Sequence, residues 1–244
     1  SMYPQARGEE CPPGLQDISP LLIQLLSNRG ITDPAPFEAF LAADERLAND
    51  PFLLEEMDKA VTRVLRALLG DELIAIYGDF DADGITAAVL LAQGIAELDG
   101  RAISYIPHRF DEGHGLNLAA LKSLKKQGVS LVVTVDCGIT GVSEVEEGRK
   151  LGLDIIITDH HVPIAHIPDA LAVIDPKRFD SAYPFYDLAG VGVAFKLLQA
   201  LFKATTRDGG LEKFLDLVAL GTVVDMVPLL GENRYLVRRG VEGL

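Results

Sequence analysis

Residues 75–91 read AIYGDFDADGITAAVLL. Three aspartates, Asp79, Asp81 and Asp83, alternate across five positions between two apolar runs. The run before them has the texture of a β-strand, and a helical pattern follows from about Ile85 to Leu98. The acids therefore stand at a strand-to-helix junction. Like charges at such a place repel one another unless a cation joins them.

Working outward, the same alternation recurs. ELIAIYG, AISYIP, LVVTVD, DIIITD and LAVIDP are short apolar or β-branched runs. Helical patterns separate them, from about Leu116 to Gln127 and around Val142–Leu151. Strand–helix alternation at this spacing predicts βαβ units and a parallel sheet, with both faces covered where the strands are apolar throughout. The expected fold class is α/β, a mostly parallel sheet flanked by helices. A small N-terminal helical segment precedes it, since ISPLLIQLLSNRG, DPAPFEAFLAAD and LLEEMDKAVTRVLRALLG all show apolar spacing near 3.6. The expected division is a flexible N-terminus over 1–17, a helical segment over 18–70 and the α/β domain over 71–244. Beyond Pro184 the chain turns helical again, and NRYLVRRGVEGL, which ends it, reads as a helix cut before a fold closes.

The 244 residues allow one large domain or two modest ones. The longest apolar runs are too short to cross a bilayer. No signal peptide opens the chain, and its two cysteines, Cys11 and Cys137, form no metal-type pair, so a reducing cytoplasm is expected. The formal net charge of −14 taken alone speaks against nucleic acid, which is usually met by a basic surface.

Acids and histidines sit at other strand ends as well. Asp136 closes LVVTVD, and Asp159, His160 and His161 close DIIITD. Any one such Asp reads as a turn or helix cap. In an open parallel sheet, however, ligands gather at the carboxyl ends of the strands, and there these clusters converge. A mixed carboxylate and imidazole set suits Mn²⁺, and less well Mg²⁺, Zn²⁺ or Fe²⁺. The number of ligands favours two ions, which clamp the attacking and leaving oxygens of a phosphoryl centre.

GDFDADG, VDCG and TDHH, with ALGTVVDMVPL further on, resemble the four motifs of the DHH phosphoesterase superfamily. PHRFDEGHGLN, VIDPKR, YPF, LAGVGVAFKL and NRYLVRRG are similar to the RecJ-type single-strand-specific exonucleases within it. The resemblance covers about residue 70 to the end. It implies a 5′→3′ exonuclease on single-stranded DNA that releases 5′-mononucleotides in repair and recombination. It assigns one ion to Asp79 and Asp81, a bridging role to Asp136, and the second ion to Asp83, His160 and Asp225. His161 would face the scissile phosphate, and Asp159 would hold a histidine ring. Asp136, His160 and His161 form the expected catalytic set. Arg109, with His108, would meet the terminal phosphate, and His114 would line the site. Relatives whose first motif starts with histidine have Tyr77 at that position here, so Asp79 is expected to substitute. The implied partners are single-stranded DNA, a single-strand-binding protein, a helicase and further C-terminal domains, with no membrane. Other readings are a different DHH activity, on short oligonucleotides, cyclic dinucleotides or pyrophosphate, and a non-catalytic relative.

Overall fold

The computed structural model describes residues 18–207 and 209–243. The flexible N-terminus expected over 1–17, with Cys11, lies outside them. Two compact units divide the chain, the first ending at Ala48 and the second starting at Asn49. In the first, α1 (Pro20–Ser27) and α2 (Pro34–Ala42) both begin on proline, which is preset for the first helical turn. They close on a small core of Leu26 and Phe37.

The second unit opens with α3 (Met57–Leu69), followed by β1 (Leu73–Tyr77), α4 (Ala82–Glu97), β2 (Arg101–Tyr105), α5 (Leu118–Lys126), β3 (Val129–Val135), α6 (Val142–Lys150), β4 (Asp154–Thr158) and β5 (Ala172–Ile174). Helices α7 (Gly190–Ala204), α8 (Leu215–Val224) and α9 (Gly231–Val241) complete it. Helix α3, grouped with the N-terminal helices on its pattern, belongs to this unit. Its apolar stripe of Ala60, Val61, Val64 and Ala67 joins the main core. Arg63 on the same helix pairs with Glu72 at 2.7 Å and with Asp154 at 2.5 Å, fixing it to the starts of β1 and β4.

The five strands are all parallel, in the order β2-β1-β3-β4-β5. Side chains alternate between two buried faces. Ile74, Ile76, Leu131 and Val133 point into the core shared with α3, α4, α7 and α8. Ala75, Tyr77 and Val132 point into a second core against α5 and α6. This explains the uninterrupted apolar runs of the strands. The chain leaves β1 toward β2 on one side, while β3 lies on the other. The carboxyl ends of β1 and β3 thus flank the switch point where open α/β sheets take their ligands. Among the described residues no helix is long and apolar enough to cross a membrane.

Candidate metal centre

Asp79 and Asp81 follow β1, Asp136 follows β3, and Asp159, His160 and His161 follow β4. Asp225 stands at the C-terminal end of α8. Three overlapping groups form, each with ligand atoms within 4.8 Å of one another: Asp79, Asp81 and Asp136; Asp136, His160 and His161; Asp83, His160 and Asp225. Six of the residues singled out as metal ligands in the sequence, together with His161, therefore meet at one place.

Helix starts set the aspartates. Asp81 is the N-cap of α4, its Oδ1 accepting the Gly84 N–H at 2.9 Å, so the helix begins three residues earlier than its apolar pattern suggests. A Cβ on Gly84 would lie 2.6 Å from the Asp79 backbone, so glycine lets the helix lie against the loop. Asp83 is buried and accepts the N–H groups of Gly190 (2.6 Å) and Val191 (2.8 Å) at the start of α7. The glycine-rich start of α7 could in principle cradle a phosphate or pack closely. Its first N–H groups are taken by the Asp83 carboxylate, and a Cβ on Gly190 would lie 2.6 Å from Asp136 Oδ1, so packing holds.

Histidine orientation follows from its partners. His160 Nδ1 lies 3.1 Å from the Leu188 carbonyl, which can only accept, so Nδ1 carries the proton. In the neutral ring Nε2 is then a lone pair aimed at Asp136 Oδ1, 3.1 Å away, and Asp83 Oδ2, 3.9 Å away. His161 Nδ1 is 2.8 Å from Asp159 Oδ1. Asp159 is fully buried and also accepts the N–H groups of Ile139, His160 and His161, which fixes its carboxylate against the ring. That hydrogen bond to Asp159 is the main reason the His161 pKa is raised, to about 9.

The electrostatics are those of a site built for positive charge. Asp136 is buried, with its backbone in the left-handed region at φ 60°. Burial first, then the charges of Asp83, Asp81 and Asp159, push its pKa up to about 10. Burial likewise raises Asp83 to about 6. Asp136 Oδ1, His160 Nε2 and Asp225 Oδ2 are buried without a hydrogen bond. Orphaned donor atoms of two chemical types, facing one another, fit a divalent cation.

A cleft of about 370 Å³ opens beside the cluster, lined by Asp79, Asp136, Asp159, His161 and His114, with Ile139, Val162 and Ile164 as an apolar wall. His114 Nδ1 lies 3.0 Å from Asp79 Oδ2. The Arg109 guanidinium sits over the Phe80 ring, 5.1 Å from its centre, and Phe80 in turn packs on His114 at 4.2 Å. His108 is not brought to the cluster: it is exposed and pairs with Asp111 at 2.7 Å. Arg178 is held by Glu56, Asp180 and the Val173 carbonyl. Tyr77 is fully buried on the far face of the sheet, where its hydroxyl donates to the Gly115 carbonyl at 3.0 Å. Burial raises its pKa, so it supplies no phenolate ligand.

The sequence reading passed over two residues here. Asp175, fully buried at the end of β5, has one carboxylate oxygen without a partner, and burial raises its pKa to about 7. The strand-end rule that flagged Asp136 applies equally to VIDP. Phe80, hidden among aspartates, had no such signal.

Comparison with known proteins gives the arrangement a lineage. Single-stranded-DNA-specific exonuclease RecJ of Bacillus subtilis (strain 168) is 43% identical over 227 residues, 93% of this chain but 28% of that protein. The crystal structure of exonuclease RecJ bound to manganese superposes with a TM-score of 0.71 at 36% identity, covering 78% of this chain and 48% of the other. RecJ from Thermus thermophilus in complex with Mn²⁺ gives 0.72 at 32% identity, covering 88% and 30%. The chain thus spans less than half the length of these relatives. Residues 73–222 match the N-terminal domain of the DHH family, a stretch holding every cluster residue except Asp225. With the match across most of the sheet and with TDHH at the heart of the cluster, the chain belongs to the DHH family.

Proposed function

We propose that the chain carries the hydrolytic centre of a metal-dependent exonuclease that degrades single-stranded DNA from its 5′ end and releases 5′-mononucleotides. The observation that carries this reading is the convergence of three ligand groups on Asp136 and His160. Asp79 and Asp81 with Asp136 would hold one ion, and Asp83, His160 and Asp225 with Asp136 the other. Mn²⁺ suits this donor set best, with Mg²⁺ as a substitute. Bound there, the ions supply Lewis acidity to a phosphoryl centre and lower the pKa of water.

The chain's own groups do the rest. Nδ1–H of His160, tied to Leu188, keeps Nε2 free to ligate. His161 lines the cleft and holds a proton against Asp159, so it offers a charged donor to a phosphate oxygen. Arg109, braced on Phe80, has the fork geometry that a terminal phosphate accepts.

Support also comes from the relatives, which are named single-stranded-DNA-specific exonucleases, and from the manganese in their structures. A single-strand-binding protein, a helicase and further domains of its own are the partners this reading calls for. The test is a digest of 5′-phosphorylated single-stranded DNA with Mn²⁺, beside duplex DNA and a dinucleotide. Mononucleotides should appear from the single strand, with duplex resistant. Cleavage of the dinucleotide alone would contradict the proposal.

A further inference from the structure

Residues 106–117 join β2 to α5 and bring His114 to Asp79 of the cluster and Arg109 onto Phe80 beside it. The loop has Gly113 and Gly115 at φ 75° and 80° and no strand ladder to hold it. One carboxylate ties it together. Glu112 Oε2 accepts the His108 N–H at 2.7 Å. Its Oε1 accepts the Tyr105 hydroxyl at 2.5 Å and the Asn117 amide at 3.0 Å. Tyr105 ends β2, and Asn117 caps α5 by accepting the Ala120 N–H at 2.7 Å. Glu112 therefore fastens the middle of the loop to both of its ends.

The same network reaches the strand that bears the metal motif. The Asn117 amide also donates to the Tyr77 hydroxyl at 3.1 Å, and that hydroxyl donates to Gly115. Tyr77 and Tyr105 stack at 5.1 Å beneath it. Gly115 is the neighbour of His114, so the loop is pinned on both sides of the residues that reach the site. An ionised carboxylate is acceptor-only and takes three donors without conflict, which a neutral side chain does not.

We propose that Glu112 is the positioning residue that fixes Arg109 and His114 over the cluster and thereby sets the hold on a DNA 5′ end. This rests on the function proposed above. Two variants test it. Glu112→Ala removes all three acceptor contacts. Glu112→Gln keeps an oxygen for Tyr105 and Asn117 but turns a donor toward the His108 N–H. Binding of 5′-phosphorylated and 5′-hydroxyl oligothymidylate is measured by anisotropy with Mn²⁺, and amide hydrogen exchange is followed over the whole chain. Glu112→Ala should weaken the phosphorylated ligand about tenfold and the hydroxyl ligand far less, with Glu112→Gln between it and the parent. Exchange should quicken about tenfold or more in 106–117, with β3 and α4 unchanged. Unchanged discrimination with unchanged exchange would overturn the proposal. So would equal loss on both ligands with exchange quickened everywhere, which is a folding effect. If the parent neither binds nor digests DNA, the proposed function falls, and local exchange in 106–117 alone then decides whether Glu112 holds the loop.

Discussion

At the scale of single residues the site is a set of conflicts that its partners resolve. Asp159 is buried yet held below the ordinary carboxylate value. Burial, the largest influence, would raise it, but the hydrogen bond from His161 and the N–H groups of Ile139 and His161 outweigh that. Asp136 has no such donors on Oδ1 and is pushed the other way. One carboxylate braces a histidine, and the other has the unpartnered oxygen that a cation would fit. Strand-end position made both visible in the sequence. Which acid braces and which ligates did not follow from strand-end position and came only with the motif resemblance, because it depends on where the N–H groups of a turn fall. Arg109 belongs to this scale too. A charge-assisted hydrogen bond contributes about 1.5–3 kcal/mol. Arg109→Ala should therefore narrow the kcat/KM gap between 5′-phosphorylated and 5′-hydroxyl single strands by tenfold or more. An unchanged gap would remove Arg109 from the phosphate site.

At the scale of elements, two ionic links tie segments far apart in the chain, one fully buried between helices and one partly exposed between α3 and the sheet. Lys196 of α7 pairs with Glu232 of α9, both fully buried. Glu232 also accepts the Tyr183 hydroxyl at 2.6 Å and the Asn49 N–H at 3.0 Å, while Lys196 donates to the Asn49 carbonyl at 2.7 Å. Removing one partner strands the other charge, at a cost of about 3–5 kcal/mol. Glu232→Ala should lower the urea stability by that order, and a loss below about 1 kcal/mol would mean that Lys196 finds water. The second link is Arg63 with Glu72 and Asp154. The hydrogen bond from Arg63 is the main reason that the Glu72 pKa lies below its ordinary 4.5. A depressed folded-state pKa means that the unfolded chain takes up the proton first as pH falls. The stabilisation is complete above 4.5 and is lost as pH drops through the lower folded value. Glu72→Gln should thus flatten the acid side of the stability–pH profile, and a parallel profile would contradict the linkage. The sequence pattern revealed α3 as a helix but not its place. Arg63 reads as one more polar position until Glu72 and Asp154, the latter 91 residues away, stand beside it.

At the scale of the molecule, the alternation of strands and helices was legible because strands covered on both faces must be apolar throughout. β5, only three residues long, was legible as part of LAVIDP, but the buried Asp175 that follows it was not singled out. Distances decide such matters, and Asp225 shows it best. It follows β1 by nearly 150 residues, and the packing of α8 on α4 and α7 carries it to His160. The net charge of −14 has its reason partly here, since several of the acids face one centre. Without a divalent ion this chain should repel DNA, and single-strand binding measured with a chelator should be at least about tenfold weaker than with Mn²⁺. Equal binding in both conditions would place the DNA surface away from the cluster. The centre itself is tested most directly by calorimetric titration of Mn²⁺ into the parent and Asp136→Ala. Two ions per chain are expected for the parent, and loss of tight binding of both for the variant. Two ions bound by Asp136→Ala as tightly as by the parent would contradict a centre organised around Asp136.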